Sequence, residues 1–181
     1  MHAQEPSLHR RRGCPQASRA PVARVQCQPA DARVLITGVS GGVGSVAILV
    51  AKKLGAHVTA MGSQRGLELA QSLGVDALVD RKKGDVFENV DGPFDVIFDA
   101  AAAYRWSQWR GKLKRGGTFV TTLPSIAFAA DKLTSLASPS RVQMVYVKAN
   151  HRDLTLLGKW LSEGMEIPVD STYPITKRYH G

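Results

Sequence analysis

From Arg33 onward the sequence predicts an α/β fold, a doubly wound and mostly parallel sheet of about six strands with helices on both faces. Three observations predict it. Short apolar, β-branched runs alternate with stretches whose apolar residues recur at helical spacing. Gly55 and Gly74 stand where two of those helical stretches end, the position a left-handed cap favours. Strand following helix following strand demands parallel pairing through right-handed crossovers.

The elements follow in order. Val34-Leu35-Ile36-Thr37 is an apolar run fit for a strand buried on both faces. After a glycine cluster, Val43, Ala47, Val50, Ala51 and Leu54 mark one face of a helix that Gly55 stops. His57 to Met61 reads as a second strand, with His57 a packing or surface residue. Leu67, Ala70 and Leu73 mark a second helix, and Ala77-Leu78-Val79 a third strand. Phe94 to Phe98 is a strand, and Trp106, Trp109 and Leu113 share one helical face. Thr118 to Thr122 is a strand after the Gly116-Gly117 turn. Val142 to Val147 reads as an edge strand, and Leu154, Leu157 and Leu161 as a helix after His151. The tryptophans, Trp160 included, are read as core. No repeat of solenoid period is visible.

The 181 residues suffice for one domain with a real core. No stretch approaches the ~20 apolar residues of a membrane span. Net charge is +9, and residues 1–33 hold six arginines against two acids. Residues 1–32 have no hydrophobic period and carry Pro6, Pro15, Pro21 and Pro29, so they are expected to be a disordered basic segment ahead of a domain at 33–181. The segment is Arg-rich and acid-poor, which keeps a mitochondrial location as the alternative to a cytoplasmic one; its prolines oppose the amphipathic helix a presequence needs. Nucleic acid is not the expected partner, because no aromatic residues interleave the basic ones. Cys14 and Cys27 are read as free thiols, and His151, Asp153 and His180 have no metal-ligand spacing.

The chemistry concentrates in Thr37-Gly38-Val39-Ser40-Gly41-Gly42-Val43-Gly44, between the first strand and the first helix. That context points to dinucleotide binding. Gly41 permits a tight turn, Gly42 lets backbone approach a pyrophosphate, and Gly44 lets the helix pack against the strand. The amides of the first helical turn then face the phosphates, with the Ser40 hydroxyl as a further donor. A dinucleotide without a 2′-phosphate is usually held by an acid at the end of the second strand. Here that end reads Met61-Gly62-Ser63-Gln64-Arg65, with no acid. Arg65 suits a 2′-phosphate, and Arg81, Lys82 and Lys83 after the third strand stand where they can reach the same end. The expected cofactor is therefore NADP(H).

Further motifs extend the pattern: Ala51-Lys52-Lys53-Leu54-Gly55-Ala56, Ser72-Leu73-Gly74-Val75-Asp76 with Asp80, Phe94 to Asp99, Leu113-Lys114-Arg115-Gly116-Gly117 and Tyr173-Pro174-Ile175. In order and spacing these resemble the medium-chain dehydrogenase/reductase superfamily, in particular its zinc-independent quinone oxidoreductase-like branch. The resemblance runs from about Ala32 to Ile175. It implies an NADP(H)-binding Rossmann domain and an oxidoreductase acting on a small quinone, enone or other carbonyl. It implies that Ser40, Gly42, Val43 and Gly44 hold the pyrophosphate and that Ser63 and Arg65 hold the adenosine phosphate. Asp99, Ala100, Ala101, Leu123 and Pro124 would line the nicotinamide end. Arg81 stands where the family often has a tyrosine near the adenosine, exchanging a stacking contact for a charge. The family's N-terminal substrate domain has no counterpart in residues 1–33, and its members commonly pair as homodimers through the strand at Val142 to Val147.

Two alternatives remain at this level. One is a binding module that holds NADPH without catalysis. The other is a short-chain dehydrogenase with Tyr173 and Lys177 as acid/base pair. Against the latter, Pro174 restricts Tyr173 to extended backbone, and Ala100 to Ala103 lack the asparagines of that family.

Overall fold

The computed structural model describes residues 31–122, 126–145 and 150–169. Cys14, Cys27, Leu123, Pro124, Tyr146, Val147, Tyr173, Lys177 and His180 lie outside the described residues, so the readings placed on them have no structural counterpart. Six strands, β1 (Arg33–Thr37), β2 (His57–Gly62), β3 (Ala77–Asp80), β4 (Phe94–Asp99), β5 (Leu113–Thr121) and β6 (Arg141–Met144), form one sheet in the order β3-β2-β1-β4-β5-β6. Every neighbouring pair is parallel. The crossovers carry α1 (Gly42–Lys53), α2 (Gln64–Ser72), the short α3 (Trp106–Trp109) and α4 (Ile126–Thr134); α5 (His151–Ser162) follows β6. This is the doubly wound α/β fold read from the sequence, with β6 at a sheet edge as expected.

Alternation along the central strands builds two cores. Val34, Ile36, Val58, Ala60 and Val96 point to one face, where Ile48 and Ala51 of α1 and Ala70 of α2 cover them. Leu35, Met61, Ile97 and Phe119 point to the other, beneath Trp106 and Trp109 of α3. Large aliphatic side chains such as Leu35, Ile36, Ile48 and Ile97 are fully buried, each worth about 1.5–3 kcal/mol.

Four local expectations need correction. The inward face of α1 is Gly44, Ser45, Ile48 and Ala51, whereas Val43 is 57% exposed. The helix is rotated from its most apolar arc because Gly44 must point inward: a Cβ there would lie 2.3 Å from the Gly38 carbonyl oxygen. Leu113 does not continue the Trp106–Trp109 helix; a 3-10 turn at Arg110–Lys112 ends it, and Leu113 opens β5. Gly116 and Gly117 lie inside β5, at an irregular register against β4, not before it. A Cβ on Gly117 would stand 3.0 Å from the Phe94 carbonyl oxygen, so close backbone approach explains that glycine. Finally, α4 stands where no helix was expected, and the buried side chain of α5 is Trp160, with Leu154 and Leu161 exposed.

Two glycines should respond differently to alanine. Gly44→Ala forces backbone apart between loop and helix and is expected to cost about 3 kcal/mol or more. Gly74 sits at φ 74° with open space around its Cβ, so Gly74→Ala should cost only about 1–2 kcal/mol of left-handed strain. Urea denaturation of the two variants checks the order.

Candidate functional site

The sheet reverses direction of growth between β1 and β4, and a crevice opens there at the C-terminal strand ends, where α/β sheets bind ligands. β1 ends at Thr37, the chain turns through Gly38 at φ 68°, and α1 begins at Gly42. Gly41 caps α1 without a side-chain hydrogen bond, and the first turn holds no acid. The first-turn amides therefore lack a side-chain partner from the cap and carry the positive end of the helix dipole.

The glycines of this loop divide into two kinds. At Gly38 a Cβ would meet Ala101 Cβ at 2.8 Å, and at Gly44 it would strike the Gly38 carbonyl. These two are demanded by packing. At Gly42 a Cβ would meet nothing within 4 Å, and at Gly41 only the Gly38 oxygen at 3.5 Å. The fold does not require glycine at either.

Beneath the crevice, Thr37 and Asp99 sit opposite each other in the β1–β4 register. The Thr37 hydroxyl donates to Asp99 Oδ1 at 2.5 Å, and the Tyr104 backbone N–H donates to Asp99 Oδ2 at 2.8 Å. Asp99 is fully buried, so its charge is held by these donors and not by water. The pair ties the strand ends together and pulls in the loop that follows β4. That loop includes Ala102 at φ 50°, a left-handed conformation uncommon for a residue with a side chain. Tyr104 packs edge-on against Trp109 at 5.7 Å and Phe87 at 6.1 Å between ring centroids, which fixes its ring.

The crevice has a volume of about 260 Å³. Of the residues singled out from the sequence, Ser40, Gly41, Ser63, Arg81, Ala100 and Ala101 form its walls. Gly42, Val43 and Gly44 occupy the first turn of α1 directly after Gly41. Asp99 lies under the floor, and Arg65 is exposed in the first turn of α2, outside the walls. Thr37, Gly38, Met61, Gly62 and Ala103, quoted in the motifs but given no ligand contact, also line the crevice, as does Tyr104, which no motif included.

Residues 42–134 match the zinc-binding dehydrogenase family, just over half of the chain. The chain belongs to that family. It lies within the medium-chain dehydrogenase/reductase superfamily that its motifs resemble. The chain is 42% identical over 105 residues to the mitochondrial NAD(P)H oxidoreductase RTN4IP1 of Homo sapiens, covering 56% of this chain and 26% of that protein. It is 30% identical over 152 residues to the chloroplastic quinone-oxidoreductase QR1 of Triphysaria versicolor, covering 80% of this chain and 46% of that one. The quinone oxidoreductase from Coxiella burnetii superposes with a TM-score of 0.71 at 25% identity, covering 82% of this chain and 48% of that structure. The chain thus spans between a quarter and a half of the curated relatives it matches.

Membership of this family sets aside the short-chain reading built on Tyr173 and Lys177. Gly62, which leaves room at the end of β2, also answers a packing demand together with Gly66, a glycine not singled out from the sequence. A Cβ on Gly62 would lie 2.8 Å from Val39 Cγ2, and one on Gly66 3.1 Å from Ser40 Cβ. These glycines let α2 close down on the loop from the side. Their spacing of four across a helix start was the available signal.

Burial and the nearby Asp99 charge push the Tyr104 phenol above its usual value of 10.0, while the Arg81 charge pulls it down. A raised phenol favours the folded state at neutral pH. That contribution is lost as pH climbs from 10 through the folded value. Tyr104→Phe should therefore lessen alkaline destabilisation, read as the urea midpoint at neutral against alkaline pH. Removing the hydroxyl beneath the crevice should matter more. Thr37→Val leaves one oxygen of a buried carboxylate without its donor, and a loss of about 1–3 kcal/mol is expected by urea denaturation. Thr37→Ser keeps the donor and should lose less.

Proposed function

We propose that this chain holds the nucleotide of an NADP(H)-dependent oxidoreductase of quinone-reductase type, which passes a hydride to a quinone, enone or similar carbonyl acceptor. The observation that carries the reading is the open space at Gly42. A glycine that packing does not need stands at a helix start whose cap makes no side-chain hydrogen bond. An anionic pyrophosphate suits the positive end of the helix dipole there, and the first turn holds no acid to oppose it.

On this reading Ser40 and the backbone of Gly41, Gly42, Val43 and Gly44 hold the pyrophosphate. Ser63, with Arg65 and Arg81, takes the adenosine end. Ala100, Ala101 and Leu123 flank the nicotinamide, and Asp99 braces the loop from below. The bound cofactor supplies the hydride; the chain's residues bind it, orient it and exclude water from one side. A phosphorylated cofactor is favoured because β2 ends in Met61-Gly62-Ser63 without an acid, while cations stand at the ends of β2 and β3. Relatives named as NAD(P)H and quinone oxidoreductases support the reaction class. Among the described residues no group of three or more His, Cys, Asp and Glu is placed to hold a metal ion. No described helix is long and apolar enough to cross a membrane. The mitochondrial alternative to a cytoplasmic location draws support from organellar relatives. Pairing of two copies along the β6 edge is the proposed dimer contact.

Titration of the purified chain with NADPH and NADH, followed by nucleotide fluorescence, tests the reading. Saturable binding is expected. Gly42→Ala should leave stability equal or higher by about 0.5–1 kcal/mol, since alanine suits a helix better. The same change should weaken NADPH binding by about tenfold, through lost contact with the phosphates. Absence of binding to either nucleotide overturns the proposal. Binding without turnover of a quinone would leave the non-catalytic module.

A further inference from the structure

The end of the sheet opposite the crevice, where the strands begin, has a different character. Two segments meet there: the start of β5 with the 3-10 turn before it, and the turn that leads from α4 into β6. The Gly116 N–H donates to the Pro139 carbonyl at 2.7 Å and ties one to the other. Residues 110–122 and 132–145 carry Arg110, Lys112, Lys114, Arg115, Lys132 and Arg141 and not one acid. Lys112 and Lys132 donate to the Val90 and Val142 carbonyls at 2.9 and 2.7 Å, which fixes their ammonium groups without cancelling the charge. Lys114 meets Asp95 at 2.6 Å. Arg110, Arg115 and Arg141 are exposed, and no ion pair among the described residues takes them. The exposed acids Glu88 and Asp91 flank Val90 and so stand on the Lys112 side of this patch.

On the α4 side the same surface is apolar. Leu133, in the last turn of α4, is 70% exposed, and Leu136, in the 3-10 turn Ser135–Ala137 that follows, is 77% exposed. Ala137 and Pro139 are exposed with them. The inward side of this stretch is polar beyond Phe128, which packs on the core. Asp131 and Ser135 are buried there, Asp131 paired with Arg105 at 3.2 Å and the Ser135 hydroxyl donating to the Lys132 carbonyl at 2.8 Å. The segment thus turns an acid and a serine inward and its leucines outward, the reverse of an ordinary surface helix. Contiguous apolar surface that the fold does not cover marks a contact with something else.

We propose that this patch seats the chain on an anionic phospholipid surface, with Leu133 and Leu136 entering the boundary between headgroups and acyl chains and Arg115 and Arg141 meeting lipid phosphates. Binding in the plane of a bilayer takes apolar area and cationic charge together, and the patch supplies both side by side. The leucines stand proud of the surface, which a fluid apolar layer accepts without a matching pocket. Nucleic acid would engage the cations and leave the leucines in water, and the two segments expose no described aromatic side chain on which a base could stack. The crevice lies at the other ends of the strands and stays open to a ligand from solution, so the inference does not depend on what fills it.

The test is cosedimentation of the full chain with vesicles of phosphatidylcholine, alone or mixed with phosphatidylserine. Residues 1–30 hold five further arginines, so comparison of variants decides, not binding of wild type alone. Wild type should bind the anionic vesicles about tenfold or more tightly than the neutral ones. Leu133→Ser with Leu136→Ser changes no charge and should weaken that binding by about tenfold or more. Arg115→Gln with Arg141→Gln should weaken it by about tenfold, as two cations near the surface do. On α5, Arg152→Gln with Leu154→Ser removes one exposed cation and one exposed leucine from another part of the surface and should stay within about twofold. Thermal melts establish that each variant is folded, and the arginine pair decides if the leucine pair is not. The proposal is overturned if wild type ignores anionic vesicles, or if the leucine and arginine pairs bind them as wild type does. It is overturned if the α5 pair loses as much as they do, which would leave net charge alone. A leucine pair that turns a dimer into a monomer by light scattering, with vesicle binding unchanged, makes the patch a contact between copies and overturns it too. So does binding of single-stranded RNA in place of vesicles.

Discussion

The structure depends on one close approach of backbone to backbone, that of α1 at Gly44 to the carbonyl oxygen of Gly38. There is no room for a single added carbon between them. This contact seats the helix start directly above the end of β1 and sets the rotation of the whole helix. Ile48 and Ala51 are consequently turned onto the sheet, and Val43 is left in solvent. A more apolar arc was available, and it loses. Exposing Val43 forfeits on the order of 1.5–3 kcal/mol of burial. Forcing a helix away from its loop would break the packing of Ile48, Ala51 and the strand beneath them together.

A second constraint complements the first. Asp99 is a buried carboxylate at the strand end next to β1, and its oxygens are taken by Thr37 and by the Tyr104 amide. An unpaired charge there would be costly, so the chain after β4 cannot leave the sheet freely. It must first bend back to bring the Tyr104 amide over Asp99. The bend puts Ala102 into a left-handed conformation and sets Ala101 against Gly38, whose missing side chain makes the contact possible. Glycine loop and β4 loop are therefore two walls of one crevice, fastened to each other by packing above and by a hydrogen-bonded carboxylate below.

Much of this was legible in the sequence because it is written in local patterns. Apolar runs of strand length, glycines at helix ends and the glycine loop itself yielded the strand order's class and the location of the crevice. What escaped was set by contacts distant in sequence. Thr37 finds the acceptor for its hydroxyl in Asp99, 62 residues on, and the Tyr104 ring is held against Phe87 and Trp109 as well as by the backbone bond to Asp99. The inward face of α1 was misjudged because hydrophobicity was weighed and a glycine's need for contact was not. The 3-10 turn that separates Trp109 from Leu113 has a helix-compatible spacing, so periodicity alone carried the helix too far. Arg81 reaches the crevice wall through the pairing of β2 with β3, a relation that periodicity within either strand does not carry.

The glycines then separate what the fold needs from what a ligand needs. Gly38, Gly44, Gly62 and Gly66 each stand where a side chain would press on a neighbour, and each can be explained without any ligand. Gly42 cannot. Its surroundings are open, its backbone is helical, and alanine would serve a helix better by about 1 kcal/mol. Gly158 on α5 is as open and as helical, but it lies apart from the crevice walls, whereas Gly42 follows Gly41 of those walls at the helix start, the place where the proposed pyrophosphate would approach.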